Sequence, residues 1–156
     1  MIGKSITTLS VVNDVTLVTL NNIPNKIETI ANIFTAIAKE SVNIDMISQT
    51  APYRDVINIS FTLPDDALST VLNTVGRFKK TIPELRVEVN SNNSKLSVYG
   101  EVMRTTPGVA ARVFTILAQE NIQVKLVTTS EVDISCLIYE RDAGKAMEAI
   151  KREFKI

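Results

Sequence analysis

The sequence is poor in several residue types on which common protein chemistries depend. Its 156 residues include no histidine, no tryptophan and a single cysteine, Cys136. The lack of histidine excludes histidine-based acid–base catalysis and histidine-ligated metal sites. A single cysteine excludes a disulfide within the chain and is typical of a reducing compartment, which predicts a cytoplasmic protein. Alternation with Ile134 and Ile138 predicts that Cys136 is a buried apolar residue on a strand.

The sequence also lacks an excess of charge and any long apolar run. Seventeen basic and seventeen acidic residues cancel, so no basic surface for a nucleic-acid partner is indicated. The apolar stretches fall far short of the ~20 residues that span a bilayer, and we expect no signal peptide. Phosphate-binding glycine loops, metal-ligand clusters and nucleophile–base pairs are missing from the sequence. We therefore expect no catalytic residues, no metal, no cofactor, no nucleic-acid partner and no membrane partner.

What the sequence does contain is an internal repeat. The segment FTAIAKESVNIDMISQT, Phe34–Thr50, aligns without a gap with FTILAQENIQVKLVTTS, Phe114–Ser130, at an offset of 80 residues (114 − 34). A period of this length fits two copies of one small domain better than a solenoid repeat. Paired domains of this kind create related clefts in which a ligand or a second chain can bind.

Each copy predicts the order strand, helix, strand, strand, helix, strand, an α+β fold of the ferredoxin-like type. The fold is an antiparallel sheet with two helices on one face. In the first copy we predict a strand at Val15–Leu20, a turn at Asn21-Asn22 and a boundary at Asn90–Ser94. The first helix of that copy is predicted to bury Ile27, Ile30, Ala31, Phe34 and Ala38.

The second copy ends at Ile156, one strand short of the first. The β-prone segment Lys4–Val11 has no role in the first copy, and an unpaired sheet edge over a core is a liability. We therefore predict that the leading segment supplies the missing strand to the second copy. The predicted domains are residues 13–91, and residues 95–156 together with 3–11.

The loop before the first helix of each copy is a candidate binding site. In the second copy it contains Pro107 and Gly108, which suit a helix start and the close approach of a ligand. Exposed N–H groups at a helix N-terminus favour an anion such as an α-carboxylate. An ordinary capped helix start explains the same residues. In the first copy Ile27-Glu28 replaces Pro107-Gly108 and should weaken anion binding.

The outward face of the following strand is a second candidate. Asp45 in the first copy is suited to an ammonium group, and Gln49 to either end of an amino acid. The corresponding second-copy residues are Gln123, Lys125 and Thr129. Polar residues that alternate with apolar ones are also simply solvated in many strands, and this alternative stays open.

The motif MRTTPGVAARVFTILAQENIQVKLVTTSEVDISCLI, Met103 to Ile138, closely resembles the second ACT domain of aspartokinases. NIDMISQT, Asn43 to Thr50, and NISFTLP, Asn58 to Pro64, are similar to parts of the first ACT domain. In that family the tandem ACT region regulates an enzyme that phosphorylates L-aspartate with ATP. The resemblance implies lysine, threonine or both as feedback effectors, bound across ACT domains paired in a homodimer. The sequence has no counterpart of the ATP-binding kinase domain, so a catalytic domain or subunit is the implied partner.

The resemblance also implies a set of effector-binding residues. These are Asn25, Lys26, Thr29, Ile30, Asn43, Ile44, Asp45 and Gln49 in the first copy, and Thr106, Gly108, Val109, Gln123, Val124, Ser130 and Glu131 in the second. Where the family usually has Asp-Lys-Pro-Gly and an Asn, the first copy has Asn25-Lys26-Ile27-Glu28 and Thr50. These departures leave open a weakened, altered or absent response in the first copy.

Four functions remain after this reasoning. The first is an amino-acid sensor, for which Asp45 favours lysine over threonine. The second is a dimerisation module without a ligand, which Ile27-Glu28 favours. The third is an RNA-binding sheet, against which the 5% aromatic content and zero net charge count. The fourth is a small phosphatase, whose chemistry the loops lack.

Overall fold

The computed structural model describes residues 4–156 and divides into two compact units. The first unit is Val15–Ser91, and the second consists of the chain up to Asp14 together with Asn92–Ile156. Gly3, the first residue of the predicted range 3–11, lies outside the described residues.

The strands and helices of both units follow one another in the predicted order. They are β1 Thr8–Pro24, α1 Ile27–Lys39, β2 Asp45–Gln49, β3 Val56–Pro64, α2 Leu68–Gly76, β4 Arg86–Tyr99, α3 Val109–Gln119, β5 Val124–Thr129, β6 Asp133–Tyr139 and α4 Ala143–Phe154. Every described pairing register in the two units is antiparallel. These elements confirm the predicted α+β, ferredoxin-like fold class.

The first unit has the strand order β2-β3-β1-β4. Val18 lies opposite Phe61, and Leu20 lies opposite Ile59, on antiparallel β1 and β3. Period-2 alternation points these apolar side chains to one face of the sheet, where the two helices cover them. The core residues are Val18, Leu20, Ile23, Ile33, Ile37, Ile57, Ile59, Phe61, Leu63, Val71, Val75, Ile82 and Leu85.

The buried face of α1 differs from the prediction. The structure exposes Ile27, Ala31 and Ala38 and buries Ile33 and Ile37. Burial of two isoleucines removes more apolar surface from water than burial of two alanines, so the helix turns this face to the sheet. The predicted residues that do contact the core are Ile30 and Phe34.

Two segments predicted as a turn and a boundary are parts of continuous strands. β1 runs through Asn21-Asn22 to Pro24 with a register shift between Leu20 and Ile23, and Asn22 has a φ of 65°. β4 likewise runs through Asn90–Ser94. Asparagine tolerates left-handed backbone, which a β-bulge requires as much as a turn does. The predicted turn at Asn21-Asn22 was therefore wrong. The two units do divide between Ser91 and Asn92, within the predicted boundary segment, although β4 continues through it.

The second unit has the strand order β1-β4-β6-β5. Leu96 lies opposite Cys136 on antiparallel β4 and β6. The core residues are Ile6, Leu96, Val98, Val109, Val113, Ile116, Leu117, Ile122, Ile134, Cys136, Ile138, Ala143, Ala146, Ala149, Ile150 and Phe154. Cys136 is a free, buried cysteine, and burial followed by the nearby Asp133 raises its pKa to about 11.

The leading segment is part of the second unit. The backbone N–H of Thr7 donates to the carbonyl of Tyr99 at 2.8 Å, and the Ser94 hydroxyl donates to the side chain of Asn13 at 2.7 Å. Ile6 is 1% exposed within the core of this unit. The first half of β1 thus completes the sheet of the second unit, as predicted for its fold. None of the helices in the described part of the chain combines the length and apolar character needed to cross a membrane.

Candidate functional site

The connection between β4 and α3 in the second unit forms an open helix start. A short 3₁₀ turn, Glu101–Thr105, follows β4, and α3 begins at Val109. Gly108 precedes the helix with a φ of 91°, a left-handed conformation that favours glycine. The N–H groups of the first helical turn have no acceptor within the helix, and the helix dipole adds positive potential there. This end of α3 is suited to a small anion.

A cavity of about 260 Å³ lies between this connection and the β5–β6 hairpin. Its walls are Met103, Thr106, Gly108, Val109, Ala110, Thr129, Ser130, Glu131 and Ile134. The structure thereby brings together five of the seven second-copy residues predicted to bind an effector: Thr106, Gly108, Val109, Ser130 and Glu131.

The other two predicted residues do not line this cavity. Val124 begins β5 and Gln123 precedes it, whereas Thr129, the last residue of β5, reaches the wall. Five residues of extended strand separate the two ends by ~16 Å. Sequence reasoning missed Met103, Ala110 and Ile134 as lining residues, although all three lie within the motif that carried the resemblance. Thr129, predicted on the outward face of the strand, does line the cavity.

Backbone hydrogen bonds hold the tip of the hairpin. The Ser130 N–H donates to the Asp133 carbonyl at 2.9 Å, and the Ser130 hydroxyl oxygen accepts from the Val132 N–H at 3.2 Å. The Gly100 N–H donates to the Val132 carbonyl at 2.9 Å. These bonds place Ser130 and Glu131 beside the connection that leads into α3.

Glu131 is the single ionisable residue among those that line this cavity. Its carboxylate accepts a hydrogen bond from the Arg104 guanidinium, and the same guanidinium lies 3.8 Å from an oxygen of Glu101. The Tyr99 hydroxyl donates to Glu101 at 2.5 Å. That hydrogen bond is the main cause of a raised pKa for Tyr99. Four side chains therefore form one network at the rim of the cavity.

The equivalent connection in the first unit is short. β1 ends at Pro24 and α1 begins at Ile27, with Asn25 and Lys26 between them. The Asn25 N–H donates to the Asp55 carbonyl at 2.9 Å. No side chain caps α1 at Lys26, and Glu28 lies in the first turn. A carboxylate in this position opposes the binding of an anion.

The first unit has a cavity of about 290 Å³ at this end of α1. Its walls are Pro24, Lys26, Thr29, Asn32, Phe78, Thr81 and Ile82. Of the eight first-copy residues predicted to bind an effector, Lys26 and Thr29 line it, and the other six do not: Asn25, Ile30, Asn43, Ile44, Asp45 and Gln49.

The remaining first-copy residues occupy other positions in the unit. Ile30 and Ile44 pack against the core. Asp45 and Gln49 are exposed residues of β2 that pair with Thr62 and Ile59 of β3. These positions explain why the structure does not gather them around the start of α1.

Thr50 has hydrogen-bond partners of its own at the end of β2. Its N–H donates to the Asn58 carbonyl, and its hydroxyl accepts from the Asn58 N–H, both at 2.9 Å. The threonine that stands here in place of the family's usual asparagine is therefore hydrogen-bonded across the β2–β3 loop to Asn58.

The outward-facing Lys125 of β5 lies in a separate cluster of the second unit. Its ammonium lies 3.6 Å from the ring centre of Tyr139 and donates to the Asn93 side chain. The guanidinium of Arg141 lies 4.5 Å from the same ring. Burial, followed by the charge of Arg141, lowers the pKa of Lys125. Lys125 is not among the residues that line the cavity.

Within residues 4–156, no three histidine, cysteine, aspartate or glutamate side chains come together as metal ligands. The arrangement instead offers a helix N-terminus, hydroxyl groups and one carboxylate around a small cavity. Such a set suits a small zwitterion, because the helix N-terminus is complementary to a carboxylate and Glu131 to an ammonium group.

A comparison with protein families identifies the class to which the chain belongs. The model of the ACT domain matches residues 18–77 and again residues 96–154. The chain therefore belongs to the ACT-domain family and carries this domain twice.

Aspartokinases are similar to this chain in both sequence and structure. An aspartokinase from Bacillus sp. (strain MGA3) is 33% identical over 144 residues, which are 92% of this chain and 35% of that protein. The regulatory subunit of aspartate kinase from Thermus thermophilus, in a ligand-free form, has a TM-score of 0.87 at 26% identity. It covers 97% of this chain, and this chain covers 99% of it.

The aspartate kinase from Synechocystis has a TM-score of 0.91 at 28% identity, with 97% of this chain and 27% of that chain covered. The chain spans about a third of the length of the curated relatives that it matches. These similarities confirm the resemblance to the tandem ACT region of aspartokinases.

Proposed function

We propose that this chain is the amino-acid-sensing regulatory region of an aspartokinase, and that the second-unit cavity binds the effector. The observation that carries the proposal is the convergence of five motif residues on one cavity beside the Gly108-capped start of α3. We further propose residues 13–91 as the first ACT domain, and residues 95–156 with 3–11 as the second.

The walls of the cavity suggest how an amino acid binds. The N–H groups at the start of α3 are suited to its α-carboxylate, and the Glu131 carboxylate is suited to its ammonium. Thr106, Thr129 and Ser130 supply hydroxyl groups for a polar side chain. A single carboxylate matches the single ammonium of threonine, whereas lysine carries two. Threonine is therefore the first candidate and lysine the second.

Regulation requires that the effector favour one arrangement of the ACT domains over another. A coupling free energy of about 1–3 kcal/mol changes the activity of a linked enzyme usefully, and it acts equally on effector binding. The proposed partner is the catalytic domain or subunit that phosphorylates L-aspartate with ATP. The proposed assembly is a homodimer through the ACT domains.

Calorimetric titration of the chain with L-threonine and with L-lysine tests this function. We expect heat of binding at millimolar ligand or below. Glu131→Gln should weaken binding about ten-fold, the low end of the ~1.5–3 kcal/mol that a hydrogen bond to a charged group contributes, because the Glu131 side chain is 71% exposed. Glu148→Gln changes an exposed glutamate of α4 that lies outside the cavity and serves as the control. If neither amino acid gave heat of binding, the proposal would be overturned.

A dimerisation module without a ligand is the second candidate. The first unit favours it, because Ile27 is 71% exposed and Glu28 occupies the first turn of α1. Exposed apolar surface at such a position suits contact with another chain. Light scattering that reports a dimer, together with calorimetry that reports no heat, would support this candidate over the sensor.

A further inference from the structure

We propose that Arg104 competes with the ammonium of the effector for Glu131, and passes to Glu101 when the effector binds. The proposal rests on the proposed function, and it concerns the affinity and selectivity of the same cavity. It assigns to the Arg104–Glu101 pair a role in choosing ligands with a free ammonium group.

The first step of the argument is the position of Glu131. It is the single ionisable residue on the cavity wall, so a cationic group of a ligand has one oppositely charged partner there. In this structure the Glu131 carboxylate accepts a hydrogen bond from Arg104, whose side chain is not part of the wall. An incoming ammonium must therefore share or displace the guanidinium.

The second step is that Arg104 has another carboxylate within reach. Its second terminal nitrogen lies 3.8 Å from Glu101, three residues earlier on the same 3₁₀ turn. A rotation of the arginine side chain is enough to close this distance. The guanidinium then exchanges one ion pair for another, while Glu131 becomes available to the ligand.

The third step concerns the anchoring of Glu101. The Tyr99 hydroxyl donates to one oxygen of this carboxylate at 2.5 Å, and the approach of Arg104 is to the other oxygen. Tyr99 thus holds Glu101 in place with one oxygen directed to Arg104. Because Glu101 is held in place, the Arg104 guanidinium moves between two defined partners, Glu131 and Glu101.

The exposure of the ion pair sets the size of the effect. Arg104 and Glu131 side chains are 54% and 71% exposed, and such pairs are weak. The competition therefore lowers affinity by about two- to five-fold. It leaves the cavity accessible to millimolar amino acids. A ligand without an ammonium group cannot replace Arg104 as the partner of Glu131, so we expect it to bind with lower affinity.

The test is calorimetric titration of L-threonine and L-lysine into four variants of this chain. Arg104→Met, which removes the competitor, should bind about two- to five-fold more tightly than the parent chain. Glu101→Gln, which removes the negative charge of the second acceptor, should bind about two-fold more weakly. The double variant should match Arg104→Met, because Glu101 acts only through Arg104.

Arg152→Met is the matched control. Arg152 is an arginine of the same unit that is 74% exposed and pairs with Glu120 at 3.4 Å, and neither residue lines the cavity. Its affinity should equal that of the parent chain. N-acetyl-L-threonine, which lacks the ammonium, should bind more weakly than threonine.

A spectroscopic readout separates exchange from a purely structural effect. The Nε–H signal of Arg104 in ¹H–¹⁵N spectra, assigned by its loss in Arg104→Met, should shift on addition of threonine. The shift should be smaller in Glu101→Gln, where the second acceptor is neutral.

The outcomes distinguish this proposal from the function on which it rests. Binding of an amino acid with Arg104→Met equal to or weaker than the parent chain would overturn the competition and leave the sensor intact. Absence of binding in every variant would overturn both. Tighter binding in Arg104→Met, no further effect of Glu101→Gln in the double variant and an unchanged affinity in Arg152→Met would support the proposal.

Discussion

The two units share a repeat, but the connections that lead into their first helices differ. Nine residues (108 − 99) separate β4 from α3 in the second unit, and two residues separate β1 from α1 in the first. The long connection folds into a 3₁₀ turn and forms one wall of a cavity that holds Glu131. In the first unit, β1 continues through a bulge as far as Pro24, so the connection is short. The residues that line the cavity beside it include Lys26 and no carboxylate. Duplication therefore preserved the helices and strands but not the residues that line the two cavities.

The units also differ in how they are completed. The first unit is one continuous segment, whereas the second takes a strand from the start of the chain. Four changes, ordered from the largest expected effect to the smallest, would break or sharpen the comparison of the two units.

Removal of the leading segment should have the largest effect. A chain that begins at Asn13 loses Ile6 from the core of the second unit, together with the contacts of Leu9 and Val11. Burial of such side chains contributes ~1.5–3 kcal/mol each, so the second unit should lose at least ~4 kcal/mol of unfolding free energy. Urea unfolding followed by circular dichroism measures this, and the first unit should unfold as before.

Two point variants control for the truncation. Ile6→Ala should cost about 3 kcal/mol, and Val12→Ala, at a side chain that is 55% exposed, less than ~0.5 kcal/mol. An unfolding midpoint equal to that of the full chain after truncation would contradict the shared strand.

Gly100→Ala should have the next largest effect. A Cβ at this position would lie 1.7 Å from the Ser5 carbonyl oxygen, so the leading segment would have to move away from β4. We expect a loss of about 3 kcal/mol, confined to the second unit. The measurement is the urea midpoint of each unit.

Gly144→Ala is the matched control for this clash. Nothing lies within 4 Å of a Cβ built at Gly144 in α4, so the change should be neutral or should stabilise the helix by up to about 1 kcal/mol. Equal losses at both glycines would show that the close approach of Ser5 has no energetic consequence.

Phe34 and Phe114 occupy equivalent positions in the repeat but differ in their surroundings. Phe34 packs against the first core and meets Phe61 edge-to-face with ring centres 5.8 Å apart, whereas Phe114 is 39% exposed. Phe34→Ala should cost about 2 kcal/mol and Phe114→Ala less than ~1 kcal/mol. Thermal unfolding of the two variants compares them directly. Equal costs would mean that the two helices pack alike.

The pH dependence of stability should be the smallest effect. The pKa of Cys136 is raised from 9.0 to about 11 in the folded chain. Between these values the unfolded chain binds fewer protons than the folded chain, so stability falls as the pH rises. The full window corresponds to roughly 3 kcal/mol, of which about 1 kcal/mol is lost by pH 10. Urea unfolding at pH 8, 9 and 10 should show this partial loss.

Cys136→Ala should flatten that slope, and it should lower stability at pH 8, where the thiol is protonated in both states. In the first unit Phe61 stands at the equivalent of Cys136, at the offset of 75 residues (136 − 61) that applies to this strand. The unfolding free energy of the second unit, and not that of the first, should therefore fall as the pH rises. A slope that survives in Cys136→Ala would assign it to other groups.

Much of the fold was predictable because its signals are local. The alternation of Ile57, Ile59 and Phe61 specifies β3, and the structure buries all three. Asparagine was the main source of error, because the same tolerance of left-handed backbone serves a turn at a strand end and a bulge within a strand. The choice of face on α1 depended on the sheet beneath it, which no local pattern contains.

The candidate site was predictable in composition but not in detail. The motif identified the wall from Thr106 to Val109 and the hairpin residues Ser130 and Glu131. It did not reveal that Arg104 reaches Glu131, because a contact across 27 residues depends on how the hairpin meets the 3₁₀ turn. The first-copy residues are not gathered around the start of α1, because Ile30 and Ile44 pack against the core and Asp45 and Gln49 are exposed on β2.

The strand that the second unit takes from the start of the chain imposes an order on biosynthesis. The partner of Thr7 lies 92 residues downstream, so the leading segment leaves the ribosome well before the residues with which it pairs. The segment Val15–Ser91 can close its own sheet while the remainder is still being translated. The opening residues must stay unpaired until β4 and β6 have emerged, and a helper that shields them in that interval would raise the yield of the folded chain.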